Sequence, residues 1–454
     1  MKFYDREKEV KFLRDLHGGF FVAVVGRRRV GKTRLVNEAL PERIYLFVPE
    51  DKEEKITAME WSEQIKRAMP MPESSDITEI LEFLLQSGKV VFIDEFQNLA
   101  KIRKSIISDM QRLVDTHKER ARIVIAGSYV SIMKKMLTDS KSPLFGRIDF
   151  TVKLGELDFA VVSRILGDMG YDLREAVEFY SVLGGMPKYY EILERTGGKP
   201  QEFMERMFIE PPAPFRYEGE MILRNEIGSE YRNYFSILEA IATGKNTMNE
   251  ISSYLGKEQR SLTKYLDSLM KDYELVKRKA PITEDFRRSK NGRYFIVNPF
   301  FRFWSYFVHR NISMLEEGDT ERAVEVFRKG FNQYVSLTFE ELAIHAVRNS
   351  MPYERVGQWW NRRGDEIDIV ALNEKRKEIL FGEVKWRNRP LGWNVVEELM
   401  RKRDLVNWHN GERRERFLVV SKQGFTNKCL ERMEDEEIVH WDLEELGKRI
   451  GGQV

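Results

Sequence analysis

Cysteine is nearly absent from this 454-residue sequence. Cys429 stands alone, so no intrachain disulfide framework and no cysteine-built zinc site can form. A reducing, cytoplasmic setting is therefore expected. Histidine is also scarce, at 6 residues, while Lys, Arg and Glu abound, a balance met in heat-adapted proteins. Long apolar runs are missing. The stretch from Phe20 to Val25 is far too short to span a bilayer, and MKFYDREKEV opens without an apolar h-region. Neither secretion nor membrane insertion is expected. No fixed-period repeat and no low-complexity tract is present, which argues against a solenoid. What is present is enough apolar material to bury cores, 42% hydrophobic against 33% charged residues, so wholesale disorder is excluded. The length suggests about three domains at roughly 150 residues each.

The formal net charge of +2 hides an uneven distribution. Residues 221–310 carry 16 Lys and Arg against 10 Asp and Glu, whereas the flanks are nearly balanced. Such an excess attracts phosphate backbones, although a solvated helical face has the same composition. Two breaks divide the chain: PPAPFRYEGE at 211–220, with three prolines, and LEEGD at 315–319. They set expected segments of 1–210, 221–310 and 320–454. The first third alternates short apolar runs, Phe20 to Val25, Val90 to Ile93 and Arg122 to Ala126, with helical patterns. That alternation predicts a parallel α/β sheet.

Within FFVAVVGRRRVGKTRLVNEAL a buried-strand pattern runs into Gly26-Arg27-Arg28-Arg29-Val30-Gly31-Lys32-Thr33 and then into a helix. This is GxxxxGK[ST] in its required context, a P-loop. Glycines let backbone N–H groups close around phosphates, Lys32 reaches the β and γ oxygens, and the Thr33 hydroxyl can ligate Mg²⁺ beside ATP at the positive end of the helix. A second apolar strand, Val90 to Ile93, ends in Asp94-Glu95. Downstream of a P-loop this acidic pair reads as Walker B, with Asp94 holding the Mg²⁺ and Glu95 orienting or deprotonating the attacking water. A third strand ends in Gly127-Ser128, which places the Ser128 hydroxyl where a γ-phosphate sensor would sit; a plain turn has the same residues.

The opening Phe3-Tyr4-Asp5-Arg6-Glu7, the P-loop, FIDEFQNL, AGSYVSIM, SPLFGR and LGGMPKYY, in that order, resemble the archaeal AAA+/STAND-type ATPase family. The layout is similar to origin-recognition initiators, an ATPase followed by a winged helix. The resemblance implies that Phe3 to Arg6 lie against the adenine, that Gly185-Met186-Pro187 belong to a helical lid, and that Arg147 of SPLFGR is a finger or sensor arginine. A surface arginine after a glycine turn is the alternative for Arg147. The triple arginine Arg27 to Arg29 departs from the smaller residues common in such loops without breaking the motif.

Three apolar-periodic helices follow, Tyr231 to Ala242, Thr247 to Tyr254 and Glu258 to Lys271, and then the basic hairpin-like stretch LVKRKAPITEDFRRSKNGRYFIV. This is a winged-helix pattern, with Asn291-Gly292 expected to close the wing. In that arrangement Lys257, Arg260 and Lys264 at the third helix meet DNA, and Arg287, Arg288 and Lys290 flank it from the wing. A winged helix used for packing or oligomerisation is the other use of the same pattern. The aromatic run Phe300 to Arg310 reads as a hydrophobic docking surface.

From Lys329 the order is helix, three strands, helix, strand, a three-layer α/β core. Its strands carry Asp368 and then Glu383-Val384-Lys385, and this part resembles the PD-(D/E)XK nuclease superfamily. Carboxylates of Asp368 and Glu383 on adjacent strands can hold a divalent cation, and strand alternation sets Glu383 and Lys385 on one face. Lys385 would then activate the attacking water or stabilise the phosphorane charge. Glu340 or Glu341 would complete the cluster, and the superfamily's Phe-Glu pattern favours Glu340. The tripeptide alone means nothing, since Glu9-Val10-Lys11 repeats it in an amphipathic helix.

The expected architecture is thus α/β: a P-loop AAA+-type parallel sheet with a helical lid, a winged helix, and a C-terminal three-layer, restriction-endonuclease-like domain. The expected activity is ATP binding and hydrolysis by a DNA-processing nuclease. A nucleotide-dependent STAND-type switch that grips DNA or a partner without cleaving is the rival. Expected partners are duplex or branched DNA and further copies of the chain, with no membrane.

Overall fold

A computed structural model describes residues 1–128 and 131–451. Two compact units emerge, one of residues 2–156 and 186–188, the other of residue 1, 157–185 and 189–454.

The smaller unit is built on five parallel strands: β1 (Phe20–Gly26), β2 (Ile44–Phe47), β3 (Val90–Asp94), β4 (Arg122–Ser128) and β5 (Phe150–Leu154), in the order β2-β3-β4-β1-β5. Every residue of β1 is buried, which is why FFVAVVG is continuously apolar rather than alternating. Its side chains divide by parity. Phe21, Ala23 and Val25 enter a core with Trp61, Ile80 and Met110, while Phe20, Val22 and Val24 enter another with Leu13, Leu35 and Val36. Helices thus cover both faces, and the strand ends carry the motifs.

The larger unit begins with helices Phe159–Asp168 and Leu173–Leu183. Asp158 caps the first by accepting from Val161 N, and Asp172 with Glu175 forms a capping box on the second. Helices Tyr231–Ala242, Met248–Leu255 and Gln259–Lys271 then precede the antiparallel pair β6 (Val276–Lys279) and β7 (Arg293–Ile296). The connection of β6 to β7 differs from expectation. Asn291-Gly292 does not form a two-residue turn; residues 280–292 leave as a long loop. The reason lies elsewhere in the sequence: Ile282 N donates to Gln358 O at 3.0 Å, Trp360 Nε1 to Asn291 O at 2.8 Å and Arg362 Nε to Asn291 Oδ1 at 2.9 Å. The loop covers the edge of a second sheet, which a tight turn cannot reach.

That sheet has the order β12-β11-β10-β9-β8, from β8 (Arg355–Trp360), β9 (Glu366–Asn373), β10 (Glu378–Lys385), β11 (Arg414–Ser421) and β12 (Val439–Trp441). Neighbours β8, β9 and β10 are antiparallel, whereas β10, β11 and β12 are parallel. The 31-residue helix Thr320–Ser350 packs on it.

The aromatic run Phe300 to Arg310 is largely interior, with only Tyr306 and His309 half-buried and Arg310 exposed, and is not the docking surface its density suggested. Phe300, Phe303 and Trp304 are buried; Phe208 meets Phe303 edge-on at 4.8 Å, and Tyr189 stacks on Phe300 at 5.0 Å. Tyr334 of the long helix bonds Ser181 O at 2.9 Å. Truncating a ring such as Phe303 to alanine should cost about 3–5 kcal/mol. Among the described residues no helix is long and apolar enough to cross a membrane.

Candidate functional site

The end of β1 carries the phosphate loop. Gly26 must be glycine here, because a Cβ would lie 2.5 Å from Leu154 O. The chain then turns through left-handed backbone at Arg29 (φ 71°) and Gly31 (φ 95°), with Val30 buried beneath. Arg28 projects to solvent, and Arg27 and Arg29 are half-buried. Lys32 opens the helix Lys32–Ala39, and its ammonium donates to Gly26 O at 2.9 Å and Arg27 O at 3.0 Å. The lysine is thereby held at the centre of the loop.

Beside it lies the acid at the end of β3. Asp94 is buried and accepts from Thr33 Oγ1 at 2.6 Å, Glu95 N at 3.0 Å and Tyr45 Oη at 3.3 Å. A hydroxyl and a buried carboxylate side by side are hard oxygen donors that fit a Mg²⁺ ion. Burial, and then Asp94 itself, pushes the Tyr45 hydroxyl up to about 12, so it stays protonated and donating. Glu95 stands in left-handed backbone (φ 54°), and Gln97 Nε2 donates to its Oε2 at 2.5 Å. Ser128 pairs in register with Gly26, so the hydroxyl-bearing end of β4 adjoins the start of the loop.

Other expected members of this centre are placed as follows. Arg6 has left-handed backbone (φ 74°) and donates to Gly155 O at 2.5 Å, with Asp5 and Glu9 nearby. Pro187 opens the helix Pro187–Thr196. Arg147 forms a two-pronged pair with Asp115, at 2.9 Å from both Nε and Nη2, and also donates to Pro143 O; its hydrogen bonds do not reach the phosphate loop.

A second centre forms on β9 and β10. The β9 to β10 register pairs Gly382 with Ile369, and one step on Asp368 Oδ2 accepts from Val384 N at 2.9 Å. Lys385 Nζ lies 2.5 Å from Glu383 Oε1 and 3.5 Å from Asp368 Oδ2, and Lys402 approaches Glu383 at 3.6 Å. Glu383 Oε2 is buried without a hydrogen-bond partner. Glu340 faces the same charges: burial first, and Asp368 next, hold its carboxyl well above the usual range. Burial and Asp368 likewise raise Glu383. For Lys385, burial works to lower the value, but Asp368 and Glu383 outweigh it, so the ammonium keeps its proton. Glu341 turns elsewhere, to Arg302 at 3.3 Å and Lys279 at 3.7 Å. Among the described residues no group of three or more His, Cys, Asp or Glu is arranged to hold a metal ion; a lysine bridges the two strand carboxylates instead.

The basic residues of the middle segment lie at the surface. Lys257, Arg260, Lys264, Arg287, Arg288 and Lys290 are all exposed. Lys257 reaches Asn233 at 2.5 Å, and Lys264 lies 3.4 Å from Glu230. Sequence reasoning missed Tyr45, Gln97 and Lys402: Gln97 stands in FIDEFQNL two residues past Glu95 without a role assigned to it, and only the fold brings Tyr45 and Lys402 to the acids.

The matches to known proteins fall on the same two regions. Residues 3–205 match an ATPase domain found predominantly in Archaea, and residues 304–402 match a family described as "Archaea bacterial proteins of unknown function". The chain is 32% identical over 462 positions to the uncharacterized protein MJECL04 of Methanocaldococcus jannaschii, covering 98% of this chain and 100% of that one. It belongs to one family with that protein, a family of ATPases found predominantly in Archaea. Among solved structures, the Walker-type ATPase PABY2304 of Pyrococcus abyssi is similar at a TM-score of 0.52 and 21% identity, over 67% of this chain and 96% of that one. That likeness shows a shared fold. The ORC2 protein of Aeropyrum pernix is a looser match, with a TM-score of 0.46 and 14% identity over 72% of this chain and 96% of that one. By the match at 3–205 the chain carries a nucleotide-binding ATPase domain.

Proposed function

We propose that this ATPase binds DNA and cleaves phosphodiesters at its C-terminal acidic cluster under nucleotide control. Its working segments are taken as 1–210 for nucleotide, 221–310 for DNA and 320–454 for cleavage. At the first centre Lys32 would bind the β and γ phosphates, Thr33 and Asp94 would hold Mg²⁺, and Glu95 would orient the water that attacks the γ phosphorus. When bound, the ion neutralises phosphate charge. The exposed cations of the 257–264 and 287–290 segments would meet phosphates, with Arg287 and Arg288 on a loop whose ends are fixed by β8.

The observation carrying the nuclease reading is the crowding of three carboxylates, Glu340, Asp368 and Glu383, around one protonated lysine. Buried like charges cost stability, and such costs gather at functional sites. The unpartnered Glu383 Oε2 is the kind of oxygen a cation satisfies. Lys385, still protonated, would stabilise the charge that builds on the phosphorane. A second reading, a switch that grips DNA without cutting, draws on the lysine bridge and the lack of an assembled cation cage among the described residues.

Cleavage of linear, nicked and branched DNA with Mg²⁺ or Mn²⁺, with and without ATP, tests the choice. Asp368→Ala, Glu383→Ala and Lys385→Ala are each expected to abolish cutting while the protein stays folded. If the parent cuts none of these substrates, or Lys385→Ala cuts normally, the switch reading takes its place.

A further inference from the structure

Gln97 lies in FIDEFQNL just past the Asp94-Glu95 pair, where the sequence assigned it no role, yet its side chain lies between that pair and the end of β4. Glu95 leaves β3 in left-handed backbone, and the next three residues, Phe96–Asn98, form a single 3-10 turn. Asn98 fixes that turn by donating to Val48 O at 3.0 Å, and Phe96 is buried beneath it. The turn returns Gln97 onto Glu95, where its Nε2 donates to Oε2 at 2.5 Å. Its other atom, Oε1, is buried without a hydrogen-bond partner, a state that costs about 1–3 kcal/mol for a polar group.

The space this amide occupies is cut out of the neighbouring strand. A Cβ on Gly127 would lie 2.3 Å from Gln97 Oε1 and 2.9 Å from Met133 Cγ. Glycine at 127 therefore lets the glutamine reach the acid. Gly127 pairs with Val25 and Ser128 with Gly26, so the amide stands at the end of β4 where the phosphate loop begins. An amide in this position does what a lysine or a carboxylate cannot. It restrains the Glu95 carboxylate by one neutral donor, without neutralising it as a cation would and without repelling it as a second acid would.

We infer that Gln97 is a positioning residue for ATP hydrolysis, aiming the Glu95 carboxylate at the attacking water, and that Gly127 is the clearance that makes this aim attainable. The inference rests on the reading of Glu95 as the residue that orients the water. It assigns no contact between Gln97 and nucleotide, so nucleotide affinity should be spared. A misplacement of about 1 Å in a catalytic group costs up to about 100-fold in rate, which sets the scale of the effect.

The test uses the full chain with MgATP, measuring kcat and nucleotide Kd for Gln97→Met, Gly127→Ala and Glu95→Gln. Methionine keeps the volume and loses the donor. Gln97→Met should lower kcat by about 10- to 100-fold while Kd changes by less than about twofold. Gly127→Ala should do the same, and the two together should be no slower than the worse single variant. Gln97→Met added to Glu95→Gln should bring no further loss, because the glutamine acts through the glutamate. A packing role predicts the opposite, full kcat in Gln97→Met. If Glu95→Gln loses hydrolysis while Gln97→Met keeps the parent rate, the inference falls and the role of Glu95 stands. If Glu95→Gln hydrolyses normally, both fall. Should Gln97→Met fail to fold, Gln97→Asn, whose amide is one methylene too short to reach Glu95, carries the same test.

Discussion

The two acidic centres of this chain solve opposite problems. At the end of β3 the buried Asp94 is satisfied three times over, by Thr33, by Tyr45 and by the Glu95 amide. On β9 and β10 the carboxylates of Asp368 and Glu383, with Glu340 nearby, outnumber their donors, and one buried oxygen is left over. The first is organised before any ligand arrives. In the second, burial and mutual repulsion push Glu340 and Glu383 toward their protonated forms, and among the described residues Lys385 and Lys402 pair with the strand carboxylates. A site of the first kind should respond to mutation through what it binds, and a site of the second kind through its protonation state as well.

The largest effect expected from this contrast is at the second centre. Because Asp368 and Lys385 act as a unit, the double variant Asp368→Ala/Lys385→Ala should cut DNA hardly more slowly than either single variant. Multiplicative losses in single-turnover cleavage would break the account of one shared centre.

A smaller effect is expected on the 280–292 loop. Neutralising Arg287, Arg288 and Lys290 together should flatten the dependence of log K for duplex DNA on log salt, by about 0.9 for each phosphate that the loop no longer neutralises. An unchanged slope in a fluorescence-anisotropy titration would move DNA binding elsewhere.

The smallest effect sharpens the comparison through pH. The carboxyl of Glu340 is held above its usual range in the folded state. Such a group favours folding below its unfolded value and loses that contribution as pH rises through the folded one. Glu340→Gln should therefore raise the melting temperature at pH 7, by about 2–4 °C if about 1 kcal/mol is relieved, and leave it unchanged near about pH 4. An equal drop at both pH values would mark Glu340 as a structural residue, not one under charge stress.

Much of this was legible in the sequence because the chemistry is contiguous. Gly26 to Thr33 is one contiguous stretch from the end of β1 to the first turn of the next helix, and Asp94-Glu95 is the end of a single apolar strand. Glu383 and Lys385 were legible for the same reason, being two residues apart on one strand. The shape of the 280–292 loop was not, since it depends on Gln358 and Trp360, about seventy residues away. The aromatic run at 300–308 was misleading for a related reason. Density of Phe and Trp does not tell an exposed surface from a core whose other half, Phe208 and Tyr334, lies far off in the chain. Tyr45 carries no pattern and meets Asp94 only across strands, while Gln97 sits inside FIDEFQNL but owes its clearance to Gly127 of β4.

In the proposed division of labour at the first centre, Lys32 binds phosphate and Glu95 acts on water. Nucleotide titration and phosphate release, measured together on the parent chain, Lys32→Ala and Glu95→Gln, test it most directly. Lys32→Ala should lose tight ATP binding, whereas Glu95→Gln should bind as the parent does while hydrolysis falls by about 100-fold or more. Equal loss of binding in both variants, or hydrolysis preserved in Glu95→Gln, would contradict it.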